Sequence, residues 1–214
     1  MISASYFVRA YMDCIGSFIT IKGRDWYFNG CSTCQGFCCD GAYGFSLAPL
    51  ILEDFEAVYR YFPIVFSFLE DTLGVFVLLN DGKNQCRYFE NKRCSIYDHR
   101  PPACRLYPVS PYFEHLLVDT KCPSLSRTEG RLLCKNGVLE SAFYTKRLEN
   151  FVAKKEETRL FLERMNDRND FEYIGKIADT SLYVSKHADQ NRYLKMHAES
   201  LKFLTSYMQV SFSA

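Results

Sequence analysis

The sequence predicts an α+β fold that is mostly α and has two parts. An irregular cysteine knuckle with a few short strands is expected over residues 1–136, and a helical extension packed on it over residues 137–214. Four glycines interrupt a run of cysteines between residues 30 and 44, which is typical of backbone that folds tightly around a point. Beyond residue 137 the apolar residues recur at helical spacing.

Three short elements are expected in the first part. Phe18–Lys22 alternates in the manner of a short strand. Leu50–Phe62 places its apolar residues near one helical face and is followed by Pro63, so it predicts a helix that ends there. Val75–Asn80 is a β-branched and aromatic run that leads into a turn, which predicts a strand.

The rest of the first part is expected to be irregular, and the last third helical. Residues 86–122 are dense in turn residues, with Pro101–Pro102 placed to begin a helical turn. Residues 138–166 and 187–208 are rich in Leu, Phe, Tyr, Lys and Glu, which predicts two helical segments.

Composition excludes several classes of protein. Of the 214 residues 48% are hydrophobic, which argues against wholesale disorder. Lys and Arg number 26 against 25 Asp and Glu, so no field of one sign favours nucleic acid or an anionic membrane. No apolar run is long enough to span a bilayer. Arg9 and Asp13 interrupt the region where a secretion signal would have its apolar block, so a cytoplasmic protein is expected.

The ten cysteines are therefore interpreted as metal ligands rather than as a disulfide framework. Cys31 and Cys34 have the C-x2-C spacing that turns two thiolates toward one ion. A redox dithiol shares this spacing, but no βαβ context accompanies it and the adjacent pair Cys38 and Cys39 follows at once.

Eight thiols are expected to converge on metal. Four soft thiolates satisfy either tetrahedral zinc or a cubane iron–sulfur cluster, so eight allow two centres, or one centre with spare thiols. The candidate ligands are Cys31, Cys34, Cys38, Cys39, Cys86, Cys94, Cys104 and Cys122. Cys14 and Cys134 stand apart at the flanks and are expected to be buried packing residues.

The motifs resemble those of a known family. The run Cys31-x2-Cys34-x3-Cys38-Cys39 and the segment CSIYDHRPPACRLYP at residues 94–108 are similar to the YkgJ-type cysteine-cluster family, whose members are described as zinc- or iron-chelating proteins. The resemblance extends from about Cys31 to Cys122. The first cysteine motif of the family is written CxxCxxCC, whereas the spacing between Cys34 and Cys38 in this chain is one residue longer.

The resemblance implies a zinc or iron–sulfur centre on up to eight cysteines and says little about a reaction. One branch of the family resembles flagellin lysine N-methylase, in which a similar run accompanies methyl transfer to protein lysines. The chain has no G-x-G-type nucleotide loop after a predicted strand. The C-x3-C-x2-C spacing of radical S-adenosylmethionine enzymes fails because Gly41 lies three residues beyond Cys38.

Residues beside the cysteines are further candidates for binding the cofactor or supporting its ligands. Arg100 and Arg105 are taken as candidate cofactor-binding groups, since guanidinium groups can donate to thiolate sulfurs, carbonyls or an anion. Tyr97, Asp98 and Tyr107 are expected to support the ligand loop.

The four histidines fall into two groups by position. His99 and His115 could replace a thiol at a zinc site. His187 and His197 are expected at the surface of the helical region.

The predicted function is a metal-binding protein that holds an iron–sulfur cluster of the [4Fe-4S] type, or zinc, in a redox or enzyme-supporting role. A second hypothesis is a zinc-stabilised module whose C-terminal helices bind a protein partner. A third is a protein-modifying enzyme related to lysine N-methylase.

Overall fold

The computed structural model describes residues 14–206, apart from 16, 32–33, 35, 44–46, 70, 113–114, 144–145 and 178–179. The chain forms two compact units, each drawn from two separate stretches of sequence. The first unit combines residues 1–37 with 106–150, and the second combines 38–105 with 151–214. The predicted domain boundary at residue 136 stays a prediction, because compactness does not establish which stretch folds independently.

The first unit contains two four-stranded antiparallel sheets. One has the strand order β1-β2-β10-β9 and the other the order β11-β3-β12-β13. Their strands are β1 (Cys14–Ile15), β2 (Phe18–Thr20), β3 (Trp26–Phe28), β9 (Val109–Tyr112), β10 (His115–Asp119), β11 (Leu125–Ser126), β12 (Arg131–Lys135) and β13 (Val138–Leu139). The apolar core of this unit is formed by Ile21, Trp26, Val109, Val118, Leu133 and Cys134.

The second unit is built on a five-stranded antiparallel sheet in the order β14-β15-β5-β6-β4, with a separate two-stranded hairpin, β7-β8. Its strands are β4 (Leu47–Pro49), β5 (Ile64–Leu69), β6 (Thr72–Leu78), β7 (Phe89–Glu90), β8 (Arg93–Cys94), β14 (Phe171–Ile177) and β15 (Thr180–Ser185). Phe55, Phe62 and Phe66 are almost completely buried in its core.

Four α-helices occur among the described residues, and two of them exceed two turns. They are α1 (Phe55–Val58), α2 (Pro102–Leu106), α3 (Lys146–Glu163) and α4 (Arg192–Ser200). Helix α4 begins at Asn191, whose side-chain oxygen accepts from the N–H groups of Tyr193 and Leu194 at 3.0 Å, the usual arrangement of an N-cap. No helix of the described residues has the length and apolar character needed to cross a bilayer.

The expectation of a mostly α fold was wrong. Four antiparallel sheets organise the described chain, and even the last third, expected to be helical, contains β14 and β15. Residues 86–122, expected to be irregular, include β9 and β10. The strand expected over Phe18–Lys22, the helical turn at Pro101–Pro102 and the helices within 138–166 and 187–208 were confirmed.

His197, expected at the surface, is completely buried in the second unit. Its Nδ1 lies 2.7 Å from the carbonyl oxygen of Ile64, and its Nε2 accepts the N–H of Ser185 at 3.1 Å. The N–H of Ile64 donates to Ser200 Oγ at 2.9 Å. Helix α4 therefore satisfies both backbone groups of Ile64, and these bonds require His197 to be neutral with its proton on Nδ1.

We expect the second unit to lose stability as His197 becomes protonated. Burial lowers the pKa of His197 to about 4, whereas an unfolded chain has a pKa of about 6.5. The contribution of neutral His197 is therefore complete above about pH 6.5 and is lost as the pH falls through 4. Chemical denaturation should show a free energy of unfolding about 2 kcal/mol lower at pH 5 than at pH 7 from this group alone.

His197→Gln is the matched control, because its amide can donate and accept but does not titrate in this range. The variant should be less stable at pH 7 and should lack this part of the pH dependence. Equal slopes of unfolding free energy against pH in the two proteins would contradict the assignment.

Candidate metal centre

In the second unit, a short antiparallel pairing brings the end of the cysteine run beside Cys86. Asp40 pairs with Gln85 as an isolated antiparallel bridge. The N–H of Cys86 donates to the carbonyl of Cys39 at 2.6 Å, so these two cysteines are opposed across the pairing. Cysteines 47 residues apart in sequence are thus placed side by side by backbone hydrogen bonds.

Gly41 makes this close approach feasible. Its N–H donates to the carbonyl oxygen of Asn84 at 3.0 Å. A Cβ at Gly41 would lie 2.5 Å from that oxygen and 2.8 Å from Asn80 Oδ1, which is closer than real Cβ atoms come. Glycine is therefore required here by the approach of the two segments rather than by an unusual backbone angle.

The hairpin β7-β8 delivers Cys94 to the same unit. Cys94 pairs with Phe89, and the N–H of Phe89 donates to the carbonyl of Cys86 at 2.8 Å. The turn is formed by Asn91 and Lys92, which have φ angles of 49° and 62°, the left-handed conformation of tight hairpin turns. The backbone therefore links the positions of Cys86 and Cys94 through Phe89.

Helix α2 carries Cys104. The buried Pro101 and Pro102 begin the helix, because their fixed φ suits a first turn and no N–H is left unsatisfied. Arg105 holds the preceding loop: its Nε donates to the carbonyl of Arg100 at 3.1 Å, and its Nη2 donates to the carbonyl of Asp98. Arg105 thus stabilises the segment from Asp98 to Arg100 through hydrogen bonds to its backbone carbonyl groups.

The thiols of this unit are close enough to interact electrostatically. Burial raises the pKa of Cys104, and the thiols of Cys38, Cys86 and Cys94 raise it further. Burial likewise raises the pKa of Cys86, with added effects from Cys94 and Cys38. Cys104 and Cys86 therefore favour the neutral thiol unless a positive charge lies close to them.

Arg100 supplies positive charge at this group of thiols, lowering the pKa of both Cys38 and Cys104 against the other effects. The guanidinium is oriented by two contacts to Tyr97. Its Nε donates to the Tyr97 carbonyl at 2.9 Å, and its Cζ lies 3.5 Å from the centroid of the Tyr97 ring. Arg100 therefore has both the position and the charge to stabilise thiolates.

Cys38 and Cys39 hydrogen-bond to each other through their thiols. This bond is the largest cause of the raised pKa of Cys38, followed by burial. The two residues lie on a 3-10 turn, Phe37–Cys39, where neighbouring side chains do not alternate between opposite faces as in a strand. The second unit therefore presents five thiols: Cys38, Cys39, Cys86, Cys94 and Cys104.

The remaining three predicted ligands, Cys31, Cys34 and Cys122, belong to the first unit. Strands β3 and β11 pair with Phe28 opposite Leu125, and the N–H of Asn29 donates to the carbonyl of Ser124 at 2.9 Å. Cys31 and Cys122 each lie two residues beyond that last bond.

Cys34 follows Cys31 in a turn, in which the N–H of Cys34 donates to the carbonyl of Cys31 at 3.2 Å.

The thiol of Cys122 is buried beside Tyr107. Burial raises the pKa of Cys122 to about 11, and the thiols of Cys34 and Cys31 contribute to the rise. A hydrogen bond between the Cys122 thiol and the Tyr107 hydroxyl acts in the opposite direction. The same hydroxyl donates to Asp119 Oδ2 at 2.9 Å, and Asp119 is almost completely buried. Sequence analysis missed Asp119, since no local pattern links it to Cys122.

Other predicted residues have clear structural surroundings. Cys134 is completely buried on β12, and its thiol donates to the carbonyl of Arg24 at 3.5 Å, which agrees with a packing role. Cys14 lies in β1, but its side chain is outside the described residues. His99 stacks on Tyr61 with ring centroids 5.6 Å apart.

The other two histidines lie elsewhere in the sheets and loops. His115 begins β10, and His187 pairs with Asp170 at 2.9 Å.

In the described part of the chain, no three or more His, Cys, Asp or Glu side chains are grouped so that they could hold a metal ion. The assignment of the eight cysteines and of Arg100 and Arg105 as ligand-binding residues stays a prediction. The chemistry of the donors does fit a soft metal: they are thiols, all of them except the exposed Cys31 are partly or fully buried, and each unit contains its own set.

Comparisons with known proteins agree with this chemistry. No curated protein and no solved structure matches the chain. A family model named CxxCxxCC and described as a "putative zinc- or iron-chelating domain" matches residues 30–167, which is more than half of the chain. The predicted resemblance is thereby confirmed, and general metal binding with it. The chain belongs to the CxxCxxCC family of zinc- or iron-chelating domains.

Proposed function

We propose that the second unit binds a [4Fe-4S] cluster on Cys38, Cys86, Cys94 and Cys104, and that the protein serves a redox or enzyme-supporting role in the cytoplasm. The observation that carries this proposal is that separate elements of one unit supply these four thiols, and that the thiols of Cys38, Cys86 and Cys94 all raise the pKa of Cys104. Cys38 comes from a 3-10 turn, Cys94 from a hairpin strand and Cys104 from a helix.

The donor set suits such a cluster. Four thiolates are the usual ligands of cubane clusters, and they serve zinc equally well. When bound, an iron–sulfur cluster would supply one-electron transfer. Cys39, opposed to Cys86 and hydrogen-bonded to Cys38, is a fifth thiol beside the four.

Three surrounding residues support the thiolates in different ways. Arg100 stabilises their negative charge, since it acts on both Cys38 and Cys104. Arg105 holds the loop that carries Arg100 by donating to two of its carbonyls. Gly41 permits the backbone approach that places Cys39 opposite Cys86.

Protein purified without oxygen is expected to be brown and to contain iron and acid-labile sulfide. We expect this because many soft thiolates in a reducing compartment can serve as ligands of an iron–sulfur cluster. Metal and sulfide analysis with an absorption spectrum would check this. A colourless preparation with stoichiometric zinc would refute the cluster and leave a zinc centre on the same thiolates.

A zinc-stabilised interaction module is the second candidate. Val152 and Leu160 of α3 are 50% and 42% exposed, which offers apolar surface for a protein partner. Zinc in place of iron would favour this function, because zinc supplies no redox chemistry. The relation to lysine N-methylase stays a prediction.

A further inference from the structure

We infer that the second unit docks the acidic face of another protein on a cationic surface formed by residues 87–105 and Lys202. The basic side chains of this surface are Arg87, Lys92, Arg93, Arg100, Arg105 and Lys202. All of them are exposed except Arg100, which is half-buried. The inference goes beyond the proposed function and holds for an iron–sulfur cluster and for zinc alike.

This surface carries a local excess of positive charge. Residues 87–105 contain five Lys and Arg against two acidic residues, Glu90 and Asp98, whereas the whole chain has a net charge of only +1. Lys202, on the 3-10 helix Leu201–Ser206, adds a sixth positive charge. An anionic partner would therefore be attracted to this part of the second unit rather than to the chain as a whole.

Contacts to one aromatic ring bring Lys202 beside Arg87. The Cζ of Arg87 lies 5.4 Å from the ring centroid of Tyr88 and 5.3 Å from that of Phe203. The Nζ of Lys202 lies 5.0 Å from the ring centroid of Phe203. Arg87 Nη1 also donates to Ser206 Oγ at 3.1 Å. The 3-10 helix is thus held against the start of the cationic segment.

The other cations lie on the hairpin β7-β8, on α2 and on the loop before α2. Lys92 is in the turn of the hairpin, and Arg93 begins β8. Arg105 of α2 donates to the carbonyl of Arg100 at 3.1 Å, which places these two side chains at the same loop.

The ring of Tyr61 connects the two ends of the surface. Its centroid lies 6.2 Å from that of Tyr88, the ring that carries Arg87. It lies 5.6 Å from the imidazole of His99, which directly precedes Arg100. The positive charges are therefore gathered in one region of the second unit.

Among the described residues, none of these six cations forms an ion pair with a carboxylate. Cations elsewhere in the same unit do: Lys154 Nζ lies 3.0 Å from Glu157 Oε2, for example. Because like charges repel one another, the surface gains from the approach of an anion. The guanidinium groups of Arg87 and Arg100 are already oriented by aromatic rings, so they lose less freedom when they bind a carboxylate.

The side chains around the cations favour an acidic protein over single-stranded nucleic acid or a membrane. Successive bases stack on several aromatic rings, and a membrane-binding surface inserts several apolar side chains. Among the described residues of this surface, Tyr97 is the only large apolar or aromatic side chain that is exposed, at 56%. Arg100 covers one face of its ring, with Cζ 3.5 Å from the centroid. Charges spread over a hairpin, a helix and a 3-10 helix suit the several carboxylates of an extended acidic face.

The test measures the binding of fluorescein-labelled decaglutamate to the full chain as purified, by fluorescence anisotropy. Wild-type protein should bind the peptide, and its affinity should fall about 10-fold or more between about 50 and about 300 mM NaCl, because salt screens exposed charges. The variant Arg87→Gln/Lys92→Gln/Arg93→Gln should bind about 10-fold more weakly or worse at the lower salt concentration. No binding by the wild-type protein would overturn the inference.

The matched control is Lys154→Gln/Arg159→Gln/Arg164→Gln, at the end of α3 and just beyond it. It removes the same net charge from the same unit, but two of its three cations are paired with carboxylates. Its affinity for decaglutamate should differ from the wild-type value by less than about 2-fold. Equal weakening in the two triple variants would overturn the inference, because binding would then depend on net charge and not on this surface.

Lys92→Gln/Arg93→Gln covers the case in which the triple variant at Arg87 fails to fold, since both side chains are exposed and Arg87 keeps its ring contacts. This variant should bind decaglutamate about 3- to 10-fold more weakly. Wild-type affinity in the folded double variant would contradict the inference.

Two further probes separate the kinds of partner. A thymidine decamer or vesicles of phosphatidylserine should bind more weakly than decaglutamate in the same buffer. Tighter binding of the decamer would replace the acidic protein by single-stranded nucleic acid, and tighter binding of the vesicles would replace it by a membrane surface. Zinc-containing protein should bind the peptide as iron-containing protein does, so failure of the proposed function would leave this result unchanged.

Discussion

Cys104→Ser is expected to remove the metal of the second unit and to destabilise that unit by several kcal/mol. A hydroxyl is a poor donor to a soft metal, and structural zinc sites supply roughly 10–16 kcal/mol of apparent folding free energy. Cys104 should have a large effect because three other thiols act on it and because its helix is held by the buried Pro101. Metal content and chemical denaturation of the purified variant would measure both effects.

Cys134→Ser is the control for this experiment. It makes the same atomic change at a completely buried position whose thiol donates to a carbonyl. A serine hydroxyl can make the same bond, so the expected cost is about 1 kcal/mol and the metal content should not change. Equal metal loss in the two variants would show that the loss follows from general destabilisation and not from a missing ligand.

Metal removal is expected to unfold residues 81–100 while the five-stranded sheet of the second unit remains. None of the residues from 81 to 100 is fully buried, so this segment has little apolar packing of its own. Strand β5, in contrast, buries Ile64, Val65 and Phe66 completely. We therefore expect the order of this segment to depend largely on the proposed metal.

Hydrogen exchange before and after treatment with a strong chelator would check this expectation. The amides of Cys86, Phe89 and Ser95, which donate to backbone carbonyls, should exchange about 100-fold faster or more in metal-free protein. The paired amides of β5 and β6 are the internal control and should change little. Unchanged protection of the cysteine segment in metal-free protein would contradict a structural role of the metal.

The candidate metal chemistry could be predicted from the sequence because it depends on residue type and short spacing. The C-x2-C pair, the adjacent Cys38 and Cys39, and the segment at residues 94–108 are all visible without a structure. The helical turn of Cys104 was also predictable, because two prolines determine it locally. The family match confirms that these motifs indicate metal binding.

The fold class could not be predicted, because most strands pair with partners far along the chain. β5 pairs with β15 through Phe66 and Tyr183, and β3 pairs with β11 through Phe28 and Leu125. Short strands with few alternating residues carry a weak local signal, so their pairing determines them. The long Lys- and Glu-rich helix α3 has a strong local signal and biased the prediction toward helix.

The burial of His197 could not be predicted from the sequence either. Nothing in RYLKMHAES distinguishes a buried histidine from an exposed one, and its two hydrogen-bond partners come from Ile64 and Ser185. Only packing of α4 on the sheet reveals that the imidazole must be neutral.

Thiol chemistry and ligand spacing are local properties of the chain, so the atoms available to bind a metal can be identified without a structure. How these atoms are grouped depends on the fold. Two antiparallel pairings, one joining Asn29 to Ser124 and the other joining Asp40 to Gln85, assign the two halves of one short cysteine run to different units. Such pairings depend on backbone hydrogen bonds between distant segments, and local spacing does not determine them.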